Sequence, residues 1–336
     1  MATSSDVLCS ICDAQHAIKN ADNWCPECEE GLCSECLKHH NVSKCTKSHE
    51  VISIGNYHKL PQSVSKIVQH CTAPVRNVSI HDINLVLLQK KERLYNTIRG
   101  CAITPNGKFL FADYDTKGLH ILNEDWTTDN LDVELPAISK AFDVTCINDT
   151  RLAISTGRFQ QISILNIASK KIEKIINTSH ECYGITQNEG SLLFCERTKG
   201  ISRVQLSDNS ISLLVKEERC HSSTYVITSE DNIYHTNAKT NTFSCHKIYG
   251  DKLWEFQDVA RIREPNGVAI DRDLNVYVAS RGNNSVVVIS PDGKRCRTVL
   301  DESDGIAYPM AICFDKVKYN LVVCNLDGTA LLYKVE

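Results

Sequence analysis

Eight metal-binding side chains stand at ordered spacing near the N-terminus. They form three Cys-x2-Cys pairs followed by two histidines: Cys9, Cys12, Cys25, Cys28, Cys33, Cys36, His40 and His49. Zinc in structural sites binds four thiolate or imidazole ligands in a tetrahedron, and one Cys-x2-Cys pair supplies only one edge of it. Two pairs must therefore combine around each ion, and eight ligands indicate two zinc ions.

Two arrangements of these ligands are open. In a sequential arrangement, the first two cysteine pairs share one ion. In an interleaved arrangement, the first and third pairs share one ion, and the second pair shares the other with the histidines. The four residues between Cys28 and Cys33 favour the interleaved arrangement, because one small ββα unit can then hold both sites. His39 is the alternative to His40.

Residues 9–60 resemble a B-box zinc finger of the tripartite-motif family. The resemblance rests on CxxC, a loop, WCPEC, four residues, CSEC and two later histidines. His40, with three residues between it and Cys36, fits the family spacing better than His39. The resemblance implies one zinc on Cys9, Cys12, Cys33 and Cys36, and a second on Cys25, Cys28, His40 and His49. Because protein ligands then fill both tetrahedra, the zinc is expected to be structural.

Two related cysteine modules do not fit this stretch. A RING finger has Cys-x-His-x2-Cys at its centre, which WCPECEEGLCSEC does not match. A thioredoxin-like role for CPEC requires a βαβ context, and none precedes Trp24. The module that recruits a ubiquitin-conjugating enzyme is therefore not visible in the sequence.

The overall composition predicts a soluble, cytoplasmic protein. The chain has 336 residues with 37 Lys+Arg and 41 Asp+Glu, a net charge of −4, which does not favour nucleic-acid binding. The first residues lack the basic segment and following apolar segment of a signal peptide. No apolar run approaches the roughly 20 residues of a membrane span. In a reducing compartment, the nine cysteines beyond residue 100 are expected to be reduced core residues.

A period of about 42 residues begins near residue 98. Six copies start with an apolar segment, 41 to 43 residues apart: 100–104, 142–146, 183–187, 224–228, 266–271 and 309–313. A second apolar strand follows each, and a third follows in every copy except the fourth. Short strands at this period are typical of propeller blades. The predicted fold class is mainly β: a small zinc-stapled ββα finger followed by a six-bladed β-propeller.

The fifth copy has the clearest repeat pattern of the six. Its sequence, EPNGVAIDRDLNVYVASRGNNSVVVISPDGK at 264–294, resembles an NHL repeat, with P-x-G-[IV]-A-[IV]-D followed by N-x-Y-V-A-type and N-x-x-[IV]-x-V-type strands. The resemblance is specific in the fifth and sixth copies and faint in the others. It implies an NHL-like propeller.

The sixth copy contains only three predicted strands before residue 336. A ring left open would expose sheet edges, so we predict that part of the segment 78–89, VSIHDINLVLLQ, supplies the outer strand of the last blade. The predicted domains are the finger at 5–60, a linker at 61–77 and the propeller at 78–336.

The linker is short compared with the tripartite-motif order. About 35 residues separate Leu60 from the first propeller strand and contain no sustained heptad, so neither a long coiled coil nor a coiled-coil dimer is expected. The segment 70–72 resembles the start of a second B-box cut off after one ligand, Cys71. An ordinary linker cysteine is an equal alternative.

These features favour a non-enzymatic adaptor that binds protein partners through its B-box and its propeller face. The alternatives are an RNA-binding NHL-type regulator and an accessory component of a ubiquitin ligase. An enzyme of the propeller lactonase or lyase kind would need polar groups at the inner-strand entrances, where the candidates are Glu181, His221, Glu264 and Asn266. No pattern ties them together, so no catalytic residue is predicted. A positive channel face would favour RNA, and a mixed surface would favour a protein ligand.

Overall fold

The fold was examined in a computed structural model of the chain. The structure describes residues 8–13, 17, 19–25, 30–42, 51–57, 79–116, 118–127, 133–134, 140–220 and 222–336. The chain divides into two compact units, Met1–Val75 and Arg76–Glu336. In the ranges just given, no helix has the length and apolar character needed to cross a membrane.

The first unit is a small finger. Its elements are α1 (Ser10–Asp13), β1 (Asn23–Cys25), β2 (Glu30–Leu32), α2 (Ser34–Val42), β3 (Ile52–Ser53) and α3 (Ile54–Tyr57). The strands form an antiparallel sheet in the order β2-β1-β3. The Asp22 carboxylate accepts hydrogen bonds from the Ser34 backbone N–H at 3.0 Å and its hydroxyl at 2.6 Å, which fixes the start of α2 against β1. The predicted ββα order is present.

Cysteines are prominent among the buried residues that the structure describes in this finger. One cluster is Cys9, Cys12 and Cys33, with Ile11 and Cys36 packed against it, and Ala21, Cys25 and Leu32 are also buried. Units this small commonly need a metal or disulfides to fold, so a ligand bound by the clustered sulfurs would add stability.

The second unit consists of six four-stranded antiparallel sheets. The strands before and within the first three blades are β4 (Leu85–Lys91), β5 (Ile98–Ile103), β6 (Phe109–Asp113), β7 (Gly118–Leu122), β8 (Val133–Glu134), β9 (Asp143–Cys146), β10 (Arg151–Ser155), β11 (Gln161–Asn166), β12 (Lys171–Asn177), β13 (Cys182–Asn188), β14 (Ser191–Glu196), β15 (Gly200–Gln205) and β16 (Ile211–Lys216). The remaining strands are β17 (Val226–Ser229), β18 (Asn232–Asn237), β19 (Thr242–Lys247), β20 (Lys252–Phe256), β21 (Pro265–Ile270), β22 (Val276–Ser280), β23 (Ser285–Ile289), β24 (Cys296–Leu300), β25 (Pro309–Asp315), β26 (Asn320–Asn325) and β27 (Ala330–Val335). Short 3-10 turns lie at Arg281–Asn283 and Glu302–Asp304. This is the predicted six-bladed propeller.

Burial follows position within a blade. The second strands of blades 1, 3, 5 and 6 are buried along their whole length, because both of their faces pack against neighbouring blades. Such strands read as continuous apolar runs. The outer strands face solvent and show mixed burial, as in β12.

The third strand of blade 4, β19, was not found by sequence reasoning. Phe243 and Cys245 on one face belong to the apolar core, and the residues that alternate with them are polar and buried. The Ser244 hydroxyl lies 2.7 Å from Nδ1 of His235 and 3.2 Å from Nε2 of His246. All three side chains are buried. Burial lowers the pKa of His235 to about 3, so the imidazole is neutral.

Around the channel, the innermost strands of neighbouring blades touch backbone to backbone. A Cβ added at Gly100 would lie 2.5 Å from Cα of Asp143, and one at Gly184 would lie 2.4 Å from Cα of Tyr225. A Cβ added at Gly267 would lie 2.8 Å from the backbone nitrogen of Ile312 in the last blade. Blades 1, 3 and 5 therefore need glycine where the next blade approaches, since any side chain would push the inner strands apart.

The ring is closed by a strand that precedes the first blade. β4 pairs antiparallel with β27, from Leu85 opposite Val335 to Lys91 opposite Ala330. The predicted origin of the closing strand is confirmed, although the strand extends two residues beyond the expected segment. Asn84 also exchanges two backbone hydrogen bonds with Glu336, at 2.9 and 3.1 Å.

The residues just before β4 also hold the ring closed, and we call their contacts with blades 5 and 6 the latch. Ile80 and Ile83 are 1% and 4% exposed and pack in the apolar core shared by blades 5 and 6. The Arg297 guanidinium, on the outer strand of blade 5, donates to the carbonyl of Ile80 at 3.0 Å and to that of Ile83. The segment therefore ties blade 5 to the strand that closes blade 6.

Ile80→Ala tests this latch. We expect the propeller to lose about 2–4 kcal/mol of unfolding free energy, because the change leaves a cavity in a packed core. The matched control is Leu88→Ala on β4, a side chain that is 50% exposed, with an expected cost of about 0.5 kcal/mol or less. Urea unfolding followed by tryptophan fluorescence measures both. Equal effects of the two changes would contradict the latch.

Candidate functional site

The finger brings four sulfur atoms together. Cys9 and Cys12 lie at the start and within α1, Cys33 lies between β2 and α2, and Cys36 lies in the first turn of α2. Their Sγ atoms all lie within 4.8 Å of one another. The Sγ of Cys12 is 3.8 Å from that of Cys33 and 3.7 Å from that of Cys36. The tetrad thus joins the first cysteine pair to the third, which is the grouping expected for an interleaved arrangement.

These distances fit a tetrahedral metal site. Bonds of about 2.3 Å from a central zinc to four sulfurs place the sulfurs about 3.8 Å apart. A disulfide would require about 2.05 Å, and all four cysteines are free. The tetrad is therefore close enough to bind a metal ion. Four protein sulfurs leave no open position for a substrate.

The electrostatics of the tetrad are uneven without a cation. Backbone N–H groups of Cys36 and Glu35, at the N-terminus of α2, donate to Cys33 and lower its pKa to about 7. Burial raises the pKa of Cys36 to about 12. A metal ion favours the thiolate form of every ligand, so it would overcome the cost of burying Cys36 as an anion.

The second predicted ligand set falls partly outside the described residues. Cys28 and His49 belong to that undescribed part. Cys25, at the end of β1, is fully buried, and His40 in α2 is 7% exposed. His39 is exposed. A metal ligand must point into the finger, so burial favours His40 over His39, as the spacing does.

The propeller channel is narrow and crossed by an aromatic side chain. The inner strands line a cavity of about 180 Å³. The Tyr225 hydroxyl of blade 4 donates to the carbonyl of Arg99 in blade 1 at 2.6 Å, and these two blades lie opposite each other in a ring of six. The Phe142 ring lies 5.0 Å from that of Tyr183 and 5.4 Å from that of Tyr225. These contacts connect the inner strands of blades 1, 2, 3 and 4 across the channel.

One carboxyl group lies inside this channel. Asp143 accepts hydrogen bonds from the backbone N–H groups of Val144 and Ile185, both at 2.9 Å. Ile185 belongs to the next blade, so the carboxylate links two inner strands. Burial raises the pKa of Asp143 to about 7. The group therefore serves the packing of the ring, although sequence reasoning did not single it out.

The polar residues considered at the inner-strand entrances are mostly paired. Glu181 accepts from the Tyr183 hydroxyl at 2.6 Å and from Arg197 at 2.9 Å, which keeps the pKa of Glu181 below its ordinary value. Glu264 forms an ion pair with Arg281. His221 lies outside the described residues. Both glutamates are therefore ion-pair partners, each of an arginine in its own blade.

The fourth of these residues, Asn266, lies in a pocket at the channel mouth. We call this the mouth pocket, with a volume of about 440 Å³, and its lining is Arg197, Ser223, Ala238, Lys239, Glu264, Asn266 and Arg281. Sequence reasoning did not find its three cations. These cations occupy different positions within short turns. Only an alignment of the corresponding turns of each blade would have revealed them.

Comparison with known proteins bears on the fold alone. No protein-family model and no curated protein matches the sequence. A protein of unknown function from Bacteroides thetaiotaomicron is similar in structure, with a TM-score of 0.62, 15% identity and 76% of each chain covered. Virginiamycin B lyase from Staphylococcus aureus has a TM-score of 0.54 and 17% identity over 76% of this chain and 89% of the lyase. The β-propeller domain of Cps50 (Swd1) from Myceliophteria thermophila has a TM-score of 0.54 and 7% identity over 75% of this chain and all of that domain.

Cys12→Ser tests the dependence of the finger on its sulfurs. We expect this change, or a metal chelator at neutral pH, to unfold the finger and leave the propeller intact, because metal binding supplies most of the folding free energy of such units. The control is Cys296→Ser, at a half-buried thiol of the propeller. Limited proteolysis read by mass spectrometry locates the unfolded part. A finger that resists protease after chelation would contradict the dependence.

Proposed function

We propose that the protein is a non-enzymatic adaptor of the tripartite-motif-like kind, whose B-box finger and NHL-like propeller each bind a protein partner. The observation that carries this proposal is the closed cysteine tetrad in a unit separate from a complete propeller. A closed tetrahedron stabilises a fold and offers no site for chemistry. Two compact units in one chain can hold two partners at once.

The metal is proposed to be zinc, with two ions in the finger. The tetrad spacing supports the first ion. The second would be held by Cys25, Cys28, His40 and His49. Thiolate ligands are available in a reducing compartment, which supports a cytoplasmic location. The proposed boundaries remain 5–60 for the finger, 61–77 for the linker and 78–336 for the propeller.

The propeller is proposed to bind its partner through the face on which the inner strands begin. Loops and turns there are held by a rigid ring, and binding residues in such folds concentrate on loops of this kind. The likeness to a lyase carries no activity to this chain, because one fold serves many functions. Glu181 and Glu264, at the entrances of inner strands on this face, are each ion-paired with an arginine.

Affinity capture from a cytoplasmic extract tests the adaptor. Three baits are compared: the full chain, the full chain with Cys12→Ser and Cys25→Ser, and a chain of residues 76–336. We expect one set of partners to be lost from both altered baits and another set to be retained by both. A second capture on a finger partner should recover a propeller partner only when the full chain is present.

Two results would contradict the adaptor. In one, every captured protein is unaffected by the loss of the finger. In the other, finger and propeller partners are never recovered together, so that the chain connects nothing.

A further inference from the structure

One turn in each blade carries a charged side chain close to the channel. These are the turns between the second and third strands, and their charged residues in blade order are Asp115 and Lys117, Arg158, Arg197 and Lys199, Lys239, Arg281, and Asp327. Lys199 forms a salt bridge with the buried Glu196 of its own blade. In antiparallel blades these turns share a face with the loops that enter the inner strands. The turns of blades 2 to 5 each carry cations and no anion, and we call Arg158, Arg197, Lys239 and Arg281 the cationic arc. The turns of the two blades at the closure carry aspartates, with a lysine beside the aspartate in blade 1.

The arc is held in place at alternate positions. Arg197 is bound to Glu181 at 2.9 Å, and Arg281 is bound to Glu264. Across the part of the chain that the structure describes, neither Arg158 nor Lys239 makes a salt bridge. Two cations are thus fixed by internal carboxylates, and two remain available for a carboxylate from another molecule.

The arc and the mouth pocket are continuous. Arg197, Lys239 and Arg281 line one cavity of about 440 Å³. Arg158 lies close enough to Glu181 for its charge to help lower the pKa of that carboxyl, after the hydrogen bonds from Tyr183 and Arg197. Blades 3, 4 and 5 therefore line one pocket with three cations, and the Arg158 charge of blade 2 lies near the Glu181 that holds Arg197.

The floor of the pocket contains an unsatisfied acceptor. Asn266 is fully buried, and its amide nitrogen donates to the Glu264 carbonyl at 3.2 Å. Its Oδ1 accepts no hydrogen bond from any residue that the structure describes. A buried acceptor without a donor is destabilising, so a ligand whose N–H reaches this oxygen as the pocket lining adjusts gains binding energy.

We propose that the cationic arc binds an acidic, extended peptide segment of the propeller's protein partner, with carboxylates on Arg158 and Lys239 and a peptide N–H directed to Asn266. Arginine and lysine on a rim discriminate charge and speed association. This inference rests on the proposed adaptor function, for which it names the surface and the chemistry of one partner.

A peptide fits this surface better than single-stranded RNA does. Two carboxylates lie among the four cations, and aspartates occupy the rest of the ring, so the charge is mixed. RNA recognition also needs exposed aromatic rings on which successive bases stack. Tyr183 and Tyr225, the rings nearest the channel, are buried. Two rings are exposed on this face: Tyr308, 5.9 Å from the Arg281 guanidinium, and Phe159, next to Arg158 in the turn of blade 2. Tyr308 lies in the loop that enters blade 6, so the two rings belong to blades that are not neighbours and do not form a continuous stacking surface.

Fluorescence anisotropy on the full chain tests the proposal. The probes are a fluorescein-labelled peptide of alternating glutamate and glycine, the same peptide with lysine, and an oligouridine of matched length. We expect the glutamate peptide to bind tightest and to dissociate as salt is raised. Arg158→Ala with Lys239→Ala should weaken it about tenfold or more, the loss of two ion pairs.

Two further variants sharpen the result. Arg272→Ala with Lys294→Ala removes the same charge from the opposite face and should leave the affinity unchanged. Arg158→Glu with Lys239→Glu should shift the preference to the lysine peptide. Thermal unfolding confirms that each variant is folded, as expected for surface positions.

Three results would overturn the proposal: equal binding of glutamate and lysine peptides, equal effects of the arc variant and the opposite-face variant, or tighter binding of oligouridine. The third would assign the arc to nucleic acid. These outcomes are separate from the adaptor test, because this measurement needs no finger and no second partner. If the arc binds no peptide while the capture experiment recovers both partner sets, the adaptor stands and its propeller uses another surface.

Discussion

The pairing of β4 with β27 is the contact on which the propeller depends. It joins the two ends of the ring, and Ile80 and Ile83 carry the same segment into the core between blades 5 and 6. Each blade is stable only between two neighbours, since its second and third strands bury both faces. Without the closing segment, the last blade would lose its outer strand and its core contacts together. The glycines at the inner strands and the brace from Tyr225 to Arg99 operate only in a closed ring.

The sequence predicts most of this architecture because propeller blades repeat. The six inner strands, the closing strand and the spacing of the cysteine tetrad follow from period and ligand geometry. β19 was missed because buried Ser244 and His246 alternate with Phe243 and Cys245, which interrupts its apolar run. The cationic arc was missed because its residues occupy the same turn of successive blades but different positions within that turn. They therefore do not recur at a constant spacing along the sequence. Asn266 was singled out, but its unsatisfied oxygen depends on tertiary contacts.

The two units solve the same problem in different ways. The propeller buries apolar strands in a ring without free inner edges, and its stability is distributed over six blades. The finger clusters four cysteines, so a metal ion bound there would concentrate its stability in a few metal–sulfur bonds. Loss of metal should therefore affect one unit and leave the other unchanged. This separation fits the proposed adaptor, because a change in the finger need not alter the propeller surface.

Metal content tests this division most directly. The sulfurs of the tetrad lie close enough together to hold one ion, and Cys25 and His40, both buried, belong to the second ligand set proposed above. The measurement is the zinc content of the intact chain, purified at neutral pH without chelator and read by mass spectrometry of the metal against protein concentration. Two zinc ions per chain are predicted. A value of one would contradict the second ligand set, and a value of zero would contradict the finger as a metal-built unit.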